Sequence, residues 1–311
     1  MPDLVAPPDA TAGAGRFAPS PSGDLHLGNL RTAVLAWLFA RSTGRRFLLR
    51  VEDLDRVRPG AEQRQLADLA ALGLDWDEAV VHQSRRIHLY ENAIDRLTSA
   101  GLTYECFCTR REIQQATSAP HAPAGAYPGT CRDLAPEQRD AKRSADRAPA
   151  IRLRSTTQWF TVHDVLHGDF TGVVDDFVLR RNDGTPAYNL AVVVDDAAQG
   201  IDQVVRGDDL LTSAPRQAYL ATVLGLAVPH YAHVPLALNE EGKRLAKRDG
   251  AVTLSDQEAK GHSAADVLGK IAVSLRLADP GEPVTLQLLL DRWDPARLPR
   301  DPWVFHPDRE A

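Results

Sequence analysis

The chain has 311 residues, 43% of them hydrophobic, and a net charge of −6. That length allows two domains or one large domain with an insertion. The acidic balance argues against a binder of nucleic acid driven by overall charge, and no run of about 18 apolar residues exists to span a membrane as a helix. The three cysteines, Cys106, Cys108 and Cys131, are an odd number in a chain whose first residues lack the basic flank and apolar core of an export signal. A disulfide framework is therefore not expected, and a cytoplasmic location is.

Met1 to Gly15 is rich in Pro, Ala and Asp and reads as a disordered lead. Residues 16–31 follow as Arg-Phe-Ala-Pro-Ser-Pro-Ser-Gly-Asp-Leu-His-Leu-Gly-Asn-Leu-Arg. An extended apolar start meets Pro19 and Pro21, which fit neither a helix interior nor a central strand. Gly23 gives a tight turn, and His26-Leu27-Gly28-Asn29 opens an apolar helix from Leu30 to Ala40. A strand, loop and helix start in that order offers backbone N–H groups and the positive end of a helix dipole to a phosphate. His26 adds a donor, and Gly28 admits close approach of a ligand ring. Residues 47–53 are a short apolar run that fits a buried parallel strand. The unit 16–53 is thus βαβ, the start of a doubly wound sheet, in which ligands sit at the carboxyl ends of strands. Glu52 and Asp53 fall at that end. Helices at 61–73 and from Gln83 to Gly101 read as scaffold. The basic clusters Arg41, Arg45, Arg46 and Arg110, Arg111 are either local RNA contacts or solvated charged faces.

Cys106-Phe107-Cys108 puts two thiols on one side of an extended segment, and Cys131 returns after a Pro/Ala/Gly-rich loop, 118–129. Three soft ligands need a fourth for tetrahedral zinc. Tyr127 and His121 are the candidates. Chemistry alone favours His121, because a phenol must first lose a proton of pKa about 10. Without a metal these are three buried thiols; with one, the zinc is structural and pins a loop-rich insertion. Residues 134–149 predict a charged helix and loop. Alternation at 151–153, 160–165 and 173–179 predicts strands of a small mixed subdomain inserted between the halves of the sheet. At 185–196 the chain returns to the core: Pro186 disfavours an early helix and Leu190 to Val194 are continuously apolar. Residues 204–209 predict a strand ending in charge, and 208–224 a helix with Pro215 inside it or between two segments. Taken alone, Tyr188 is packing and Arg206 an ion pair with Asp208 or Asp209. Residues 239–250 form a Gly-bounded basic loop, and two amphipathic helices, 263–280 and 284–293, precede a Pro-rich end.

The string R-F-A-P-S-P-S-G-x-L-H-x-G-N resembles the first signature of class I aminoacyl-tRNA synthetases, in the form used by glutamyl-tRNA synthetases. Its His-Ile-Gly-His pattern stands here as His26-Leu27-Gly28-Asn29, with Asn replacing the last His. Arg50 to Asp55 resembles R-[IV]-E-D-x-D, Pro186 to Asp196 resembles P-x-Y-[NH]-L-A-x-V-[VI]-D-D, and Val204 to Asp209 resembles V-[VI]-R-[GA]-[DE]-[DE]. The second signature, Lys-Met-Ser-Lys-Ser, is resembled by Arg244-Leu245-Ala246-Lys247-Arg248, with Arg for the first Lys and Ala for the Ser. The resemblance spans nearly all of 16–305.

What the resemblance implies is specific. The fold is α/β: a doubly wound parallel Rossmann-type sheet with an inserted zinc-containing α+β subdomain and a short helical C-terminal part. The divisions are a lead at 1–15, the first half of the catalytic domain at 16–103, the insert at 104–184, the second half at 185–250 and the helical part at 251–311. Glutamate is held by Arg16, Ala18, Ser20, Glu52, Tyr188 and Arg206. Glu52 faces its amino group. Arg206 takes its γ-carboxylate, since a planar guanidinium fork binds carboxylate bidentately, stays charged and rejects an amide. ATP lies on His26, Gly28, Asn29 and on Arg244, Leu245, Ala246, Lys247 and Arg248, with Mg²⁺ on its phosphates. The catalytic group is His26, Gly28, Asn29 and Lys247, the last stabilising charge as pyrophosphate leaves. The pattern C-x-C…Y-x-G-x-C-R makes Cys106, Cys108, Tyr127 and Cys131 the zinc ligands. Little chain follows the second signature, less than an anticodon-reading domain needs. The chain is therefore most similar to the family's glutamyl-Q branch, which activates L-glutamate with ATP and transfers it to queuosine at the wobble position of tRNA(Asp). The alternatives are glutamylation of the 3′ end of tRNA(Glu) by a truncated synthetase and a non-catalytic paralogue that binds glutamate or nucleotide. Nothing in the sequence calls for more than a monomer.

Overall fold

The structure, a computed structural model, describes residues 13–109, 111–113, 127–144, 148–245, 250 and 252–306. His121, Arg110, Ala246 to Asp249 and the lead up to residue 12 lie outside them.

Strand β1 (Ala14–Phe17) is buried along its whole length. It starts inside the segment expected to be a disordered lead, because Ala14 and Gly15 already pair with Arg46 and Phe47 of β2 (Arg46–Val51). Between them runs α1 (Leu27–Arg41), apolar on nearly every face: Leu30, Val34, Leu35 and Leu38 have no exposed surface. A helix with so little polar surface must be covered on all sides. The sheet covers one side. Helices α8 (Ala264–Ser274) and α9 (Leu286–Arg292) supply apolar cover elsewhere, in one cluster that joins Leu35 and Phe39 to Ile271 and Leu289. Phe39 and Trp293 meet edge to face at 5.1 Å. A short helix, α7 (Leu254–Ala259), precedes α8 and is one more than the sequence suggested; Thr253 caps it.

The central sheet has seven strands in the order β3-β2-β1-β9-β10-β6-β7. The new members are β3 (Val81–His82), β9 (Ile201–Gly207), β10 (His230–Val234), β6 (Trp159–Asp164) and β7 (Gly168–Val173). All neighbours pair in parallel except β6 with β7. Strand order reverses between β1 and β9, the switch point where an open α/β sheet leaves a crevice at its carboxyl edge. Helices α2 (Ala61–Ala71), α3 (Ile87–Ser99), α5 (Tyr188–Ala198) and α6 (Ala214–Val223) complete the layers, and a 3₁₀ segment, Asp208–Ser213, leads into α6 with Pro215 in its first turn.

One expectation is corrected. The three alternating stretches between the halves of the sheet do not form one inserted unit. β5 (Ala150–Leu153) and β8 (Val178–Arg180) pair antiparallel with β4 (Thr103–Cys106) in a separate three-stranded sheet, beside α4 (Pro136–Arg143). β6 and β7 instead extend the central sheet beyond β10, and 173–179 is split between the two sheets. A period of two reveals which face of a strand is buried, not which sheet it joins. The cluster Arg41, Arg45 and Arg46 faces acids, with Arg41 on Asp77, Arg45 on Asp202 and Arg46 on Glu78, so this face is ion-paired.

The docking of the C-terminal helices on α1 is testable through Phe39 and Trp293. Phe39→Ala is expected to destabilise by about 3–5 kcal/mol in urea unfolding. A double-mutant cycle with Trp293→Ala should return a coupling of about 0.5–1.5 kcal/mol; zero coupling would mean the two rings do not meet in solution.

Candidate active site

Three of the strands end at one edge. β1 ends at Phe17 and β9 at Gly207, so Ala18, Ser20 and Arg206 lie at the carboxyl edge of the sheet, with Glu52 just past β2. A cavity of about 470 Å³ opens there, lined by Ala18, Ser20, His26, Gly28, Asn29, Arg206, Asp209 and Arg244 among others. The loop after β1 is held from below. Gln65, buried, donates to the carbonyls of Ser20 at 3.0 Å and Gly23 at 2.6 Å, and the Glu52 N–H donates to the Pro19 carbonyl at 3.0 Å.

The first signature is built as a helix cap. His26 precedes α1 in an extended conformation, its Nδ1 accepts the Asn29 N–H at 3.2 Å, and Asn29 Oδ1 accepts the His26 N–H at 3.3 Å. This is a reciprocal capping box. It gives Asn29, the departure from the His-Ile-Gly-His pattern, a structural task. It also fixes the imidazole tautomer: Nδ1 is an acceptor, so the proton of the neutral ring is on Nε2 as a donor. Gly28 has a reason beyond ligand approach. A Cβ there would stand 2.9 Å from the Ala237 Cβ and 3.0 Å from the His26 Nδ1. The second signature comes to the same place. Leu27 N–H donates to the Val252 carbonyl at 2.8 Å, His26 bridges Thr253, and Arg244 lines the cavity with its Nη1 on Asp209 at 2.8 Å. Leu245 is buried in the core around α1. Ala246, Lys247 and Arg248 lie outside the described residues.

Behind the cavity lies a charge network that joins Arg16 and Glu52, both expected to hold glutamate, to Arg50, Asp195 and Asp196, to which the sequence assigned no role. Arg50, with no exposed surface, donates to Asp196 at 2.7 Å, Gln199 at 2.9 Å and Glu52 at 3.4 Å. Arg16 reaches Asp196 at 3.3 Å and the Val205 carbonyl at 3.3 Å. Asp195 accepts from Gln83, Arg86 and Tyr90 at 2.6–2.8 Å. Burial opposes the charge on Asp196, but Arg16 and Arg50 outweigh it and hold the carboxyl below its ordinary range. Glu52 goes the other way: burial pushes its carboxyl up against the pull of Arg50 and Arg16. Tyr188 heads α5, 42% exposed, among the charges of Arg206, Glu52, Arg16 and Asp196. Arg16, Glu52 and Tyr188 therefore share one electrostatic neighbourhood with Arg206 while standing off the cavity wall itself. The doublet Asp195-Asp196 and the arginine before Glu52 were present in the sequence patterns; their burial was the missing signal.

Away from this site, Cys106, Cys108 and Cys131 hold their sulfurs within 4.8 Å of one another. The Tyr127 hydroxyl lies 3.3 Å from the Cys106 Sγ and 3.5 Å from the Cys108 Sγ, and accepts the Cys131 N–H at 2.9 Å. The Cys108 and Cys131 sulfurs are 3.5 Å apart. A tetrahedral zinc with bonds of about 2.3 Å needs sulfurs about 3.8 Å apart, so three thiols and a phenol converge at the spacing a metal requires, and the cluster could hold one. The Arg152 guanidinium sits 3.6 Å over the Tyr127 ring.

Comparison with known proteins agrees with this geometry. Residues 14–271 match the family described as tRNA synthetases class I (E and Q), catalytic domain. The chain is 68% identical over 305 residues to a glutamyl-Q tRNA(Asp) synthetase of Nocardia farcinica, covering 98% of this chain and 96% of that one. It is 55% identical over 276 residues to the protein of that name in Cutibacterium acnes, covering 87% and 78%. Among solved structures it resembles a glutamate tRNA ligase of Elizabethkingia meningosepticum in complex with its amino acid, with a TM-score of 0.82 and 28% identity over 95% of this chain and 67% of that one.

The network behind the cavity has a pH signature. A carboxylate whose folded pKa is depressed stabilises above its unfolded value, about 3.9, and loses that contribution as pH falls through the folded value. Asp196→Asn is expected to cost about 2–4 kcal/mol at pH 7, read as a lower urea midpoint. The gap to the wild type should close below about pH 4; a gap constant with pH would show that the charge on Asp196 is not what stabilises.

Proposed function

From the premise that the chain belongs to the class I tRNA synthetases of the glutamate and glutamine type, and is therefore a ligase, we propose that it activates L-glutamate with ATP and transfers the glutamyl group to queuosine at the wobble position of tRNA(Asp). The observation that carries the amino-acid assignment is Arg206, a buried guanidinium at the cavity wall whose contacts are neutral: His233, Gln217 and the Leu210 carbonyl. A buried cation without a carboxylate partner favours an anionic ligand. The queuosine acceptor is supported by the relatives called glutamyl-Q tRNA(Asp) synthetase.

In this reading glutamate binds with its γ-carboxylate on Arg206 and its ammonium toward Glu52, adding a positive charge to those of Arg50 and Arg16 against the burial that pushes the Glu52 carboxyl up. Arg16, Ala18, Ser20 and Tyr188 complete the amino-acid subsite. ATP lies over His26, Gly28 and Asn29, with the Nε2–H of His26 donating to phosphate, and Arg244, Leu245, Ala246, Lys247 and Arg248 are its second contact segment, in which Lys247 stabilises charge as pyrophosphate leaves. Mg²⁺ accompanies ATP and offsets phosphate charge. The glutamate α-carboxylate oxygen attacks the α-phosphorus in line; the new P–O bond forms as the bond to pyrophosphate breaks, giving glutamyl-adenylate. A hydroxyl of the cyclopentenediol of queuosine then attacks the adenylate carbonyl, forming an ester and releasing AMP. No enzyme nucleophile is needed, and rate comes from placement and charge stabilisation. The division of the chain into catalytic halves, insert and helical end is proposed as stated above, with β6 and β7 counted in the catalytic sheet. Zn²⁺ on Cys106, Cys108, Cys131 and Tyr127 is proposed as a structural ion that ties the insert together.

Two measurements test these assignments. Labelled glutamate with ATP should label tRNA from queuosine-containing cells and leave tRNA from queuosine-lacking cells unlabelled. Equal label on both would mean 3′-end charging, and the absence of both label and glutamate-dependent pyrophosphate exchange would mean a binding protein. Elemental analysis of purified protein should find one zinc per chain, and Cys108→Ser should lose it together with several degrees of melting temperature. Zinc-free protein with three titratable thiols and an unchanged melt would exclude the metal.

A further inference from the structure

Three arginines are buried at the carboxyl edge of the sheet, and they are held in two ways. Arg16 and Arg50 meet carboxylates. Arg206 does not. Its Nη1 donates to Gln217 Oε1 at 2.7 Å and its Nε to His233 Nε2 at 2.9 Å. A guanidinium N–H is only a donor, so His233 Nε2 carries a lone pair and the ring proton sits on Nδ1. That nitrogen lies 2.6 Å from Asp164 Oδ2. Asp164 also accepts the His233 N–H at 3.0 Å, the Leu166 N–H at 2.9 Å and the His167 N–H at 3.0 Å, so every group around this carboxylate is a donor. Neither Asp164 nor His233 has exposed surface, and neither lines the cavity.

We propose that Asp164 and His233 are a positioning pair for Arg206. Asp164 fixes the His233 tautomer, and His233 holds Arg206 by its Nε from behind. An imidazole is thereby placed where a carboxylate would otherwise neutralise the guanidinium, and the Nη groups keep their charge and direction for the side-chain carboxylate of the amino-acid substrate. The pair rests on the reading of Arg206 given above. The same dependence on which ring nitrogen carries the proton governs hydrolytic triads, where an amide in place of the orienting carboxylate leaves the ring in place in the wrong tautomer. The groups facing His233 are Asp164, Arg206, the Tyr231 ring stacked at 5.8 Å, and His167, whose Nε2 lies 3.1 Å from the His233 carbonyl. Burial first, and Arg206 next to it, outweigh Asp164 and hold the ring below the ordinary histidine value, which keeps it neutral at pH 7. The two residues come from different parts of the chain, Asp164 from β6 and His233 from β10, so the amino-acid subsite depends on β6 having joined the central sheet.

The test is glutamate-dependent pyrophosphate exchange with wild type, His233→Phe, His233→Gln, Asp164→Asn and Arg206→Lys, each checked for a cooperative melt. His233→Phe keeps a ring and removes the acceptor. It should raise the glutamate KM about tenfold or more, about 1.4 kcal/mol, with the ATP KM within about twofold. His233→Gln, whose amide oxygen can stand near the position of Nε2, should recover most of that loss. Asp164→Asn sets an N–H against one of four donors and should follow His233→Phe; it carries the reading if the phenylalanine variant does not fold. An unchanged glutamate KM in folded His233→Phe or Asp164→Asn, an equal rise in both KM values, or a glutamine variant as impaired as the phenylalanine one would overturn the pair. If Arg206→Lys leaves the glutamate KM unchanged, the assignment of Arg206 itself falls, whichever way the His233 variants behave.

Discussion

A buried charge must be matched, and how each is matched decides what this sheet edge can bind. Arg50 has no exposed surface and sits among Asp196, Asp195 and Glu52, with Asp195 in turn anchored by Tyr90, Gln83 and Arg86. An unpaired ion in that position costs several kcal/mol, so β1, β2, α3 and α5 cannot separate without breaking the network. Because its acids are consumed internally, the network leaves none for Arg206. The same fold that neutralises two arginines keeps the third charged.

The start of α1, the proposed nucleotide end, follows a different logic, that of a helix terminus. The first N–H groups of an α-helix have no intrahelical partner, and the capping box of His26 and Asn29 satisfies some of them from within while setting the imidazole tautomer. Ala237 packs so close to Gly28 that no side chain fits there. The strand-like contact of Leu27 with Val252 then brings the flank of the second signature to the start of α1. The proposed amino-acid and nucleotide ends are thus fixed by separate means, a charge network and a helix cap, and meet across one cavity.

Much of this was legible in the sequence because the signals were local. The Pro-Ser-Pro-Ser-Gly loop, the apolar run of β2 and the continuous burial of α1 each declare their element within a dozen residues, and the doubly wound parallel sheet follows from their order. The clustering of Cys106, Cys108 and Cys131 was likewise written in their spacing, whereas Tyr127 came from the family pattern alone, since ligand chemistry by itself favoured His121. What was not legible depended on partners far apart in the chain. Nothing in the alternation of 160–165 tells that it pairs with His230–Val234 and not with 151–153. Nothing around Asp164 announces a histidine 69 residues on. Taken alone, without the family pattern that assigned it to a carboxylate ligand, Arg206 looked like a surface ion pair with Asp208 or Asp209 because those acids are adjacent in sequence; strand β9 ends between them, and the guanidinium turns inward to Gln217 and His233 while Asp209 takes Arg244.

The insertion is therefore more than a separate knuckle held beside the catalytic sheet. Asp175 lies two residues past β7; its Oδ2 accepts the Tyr127 N–H at 2.8 Å and its Oδ1 accepts Arg216 Nε at 2.6 Å. Arg216 lies on α6, and the next residue, Gln217, holds Arg206. One carboxylate thus joins the backbone beside the cysteine cluster to the helix that holds Arg206. A second path runs from β6 through Asp164 and His233 to the other side of the same guanidinium. Both supports of Arg206 that come from beyond its own strand and turn depend on residues between the two halves of the sheet. The physical consequence is that loosening the chain between the two halves of the sheet, at its thiol cluster or at the pairing of β6 with β10, reaches Arg206 through hydrogen bonds to a single side chain.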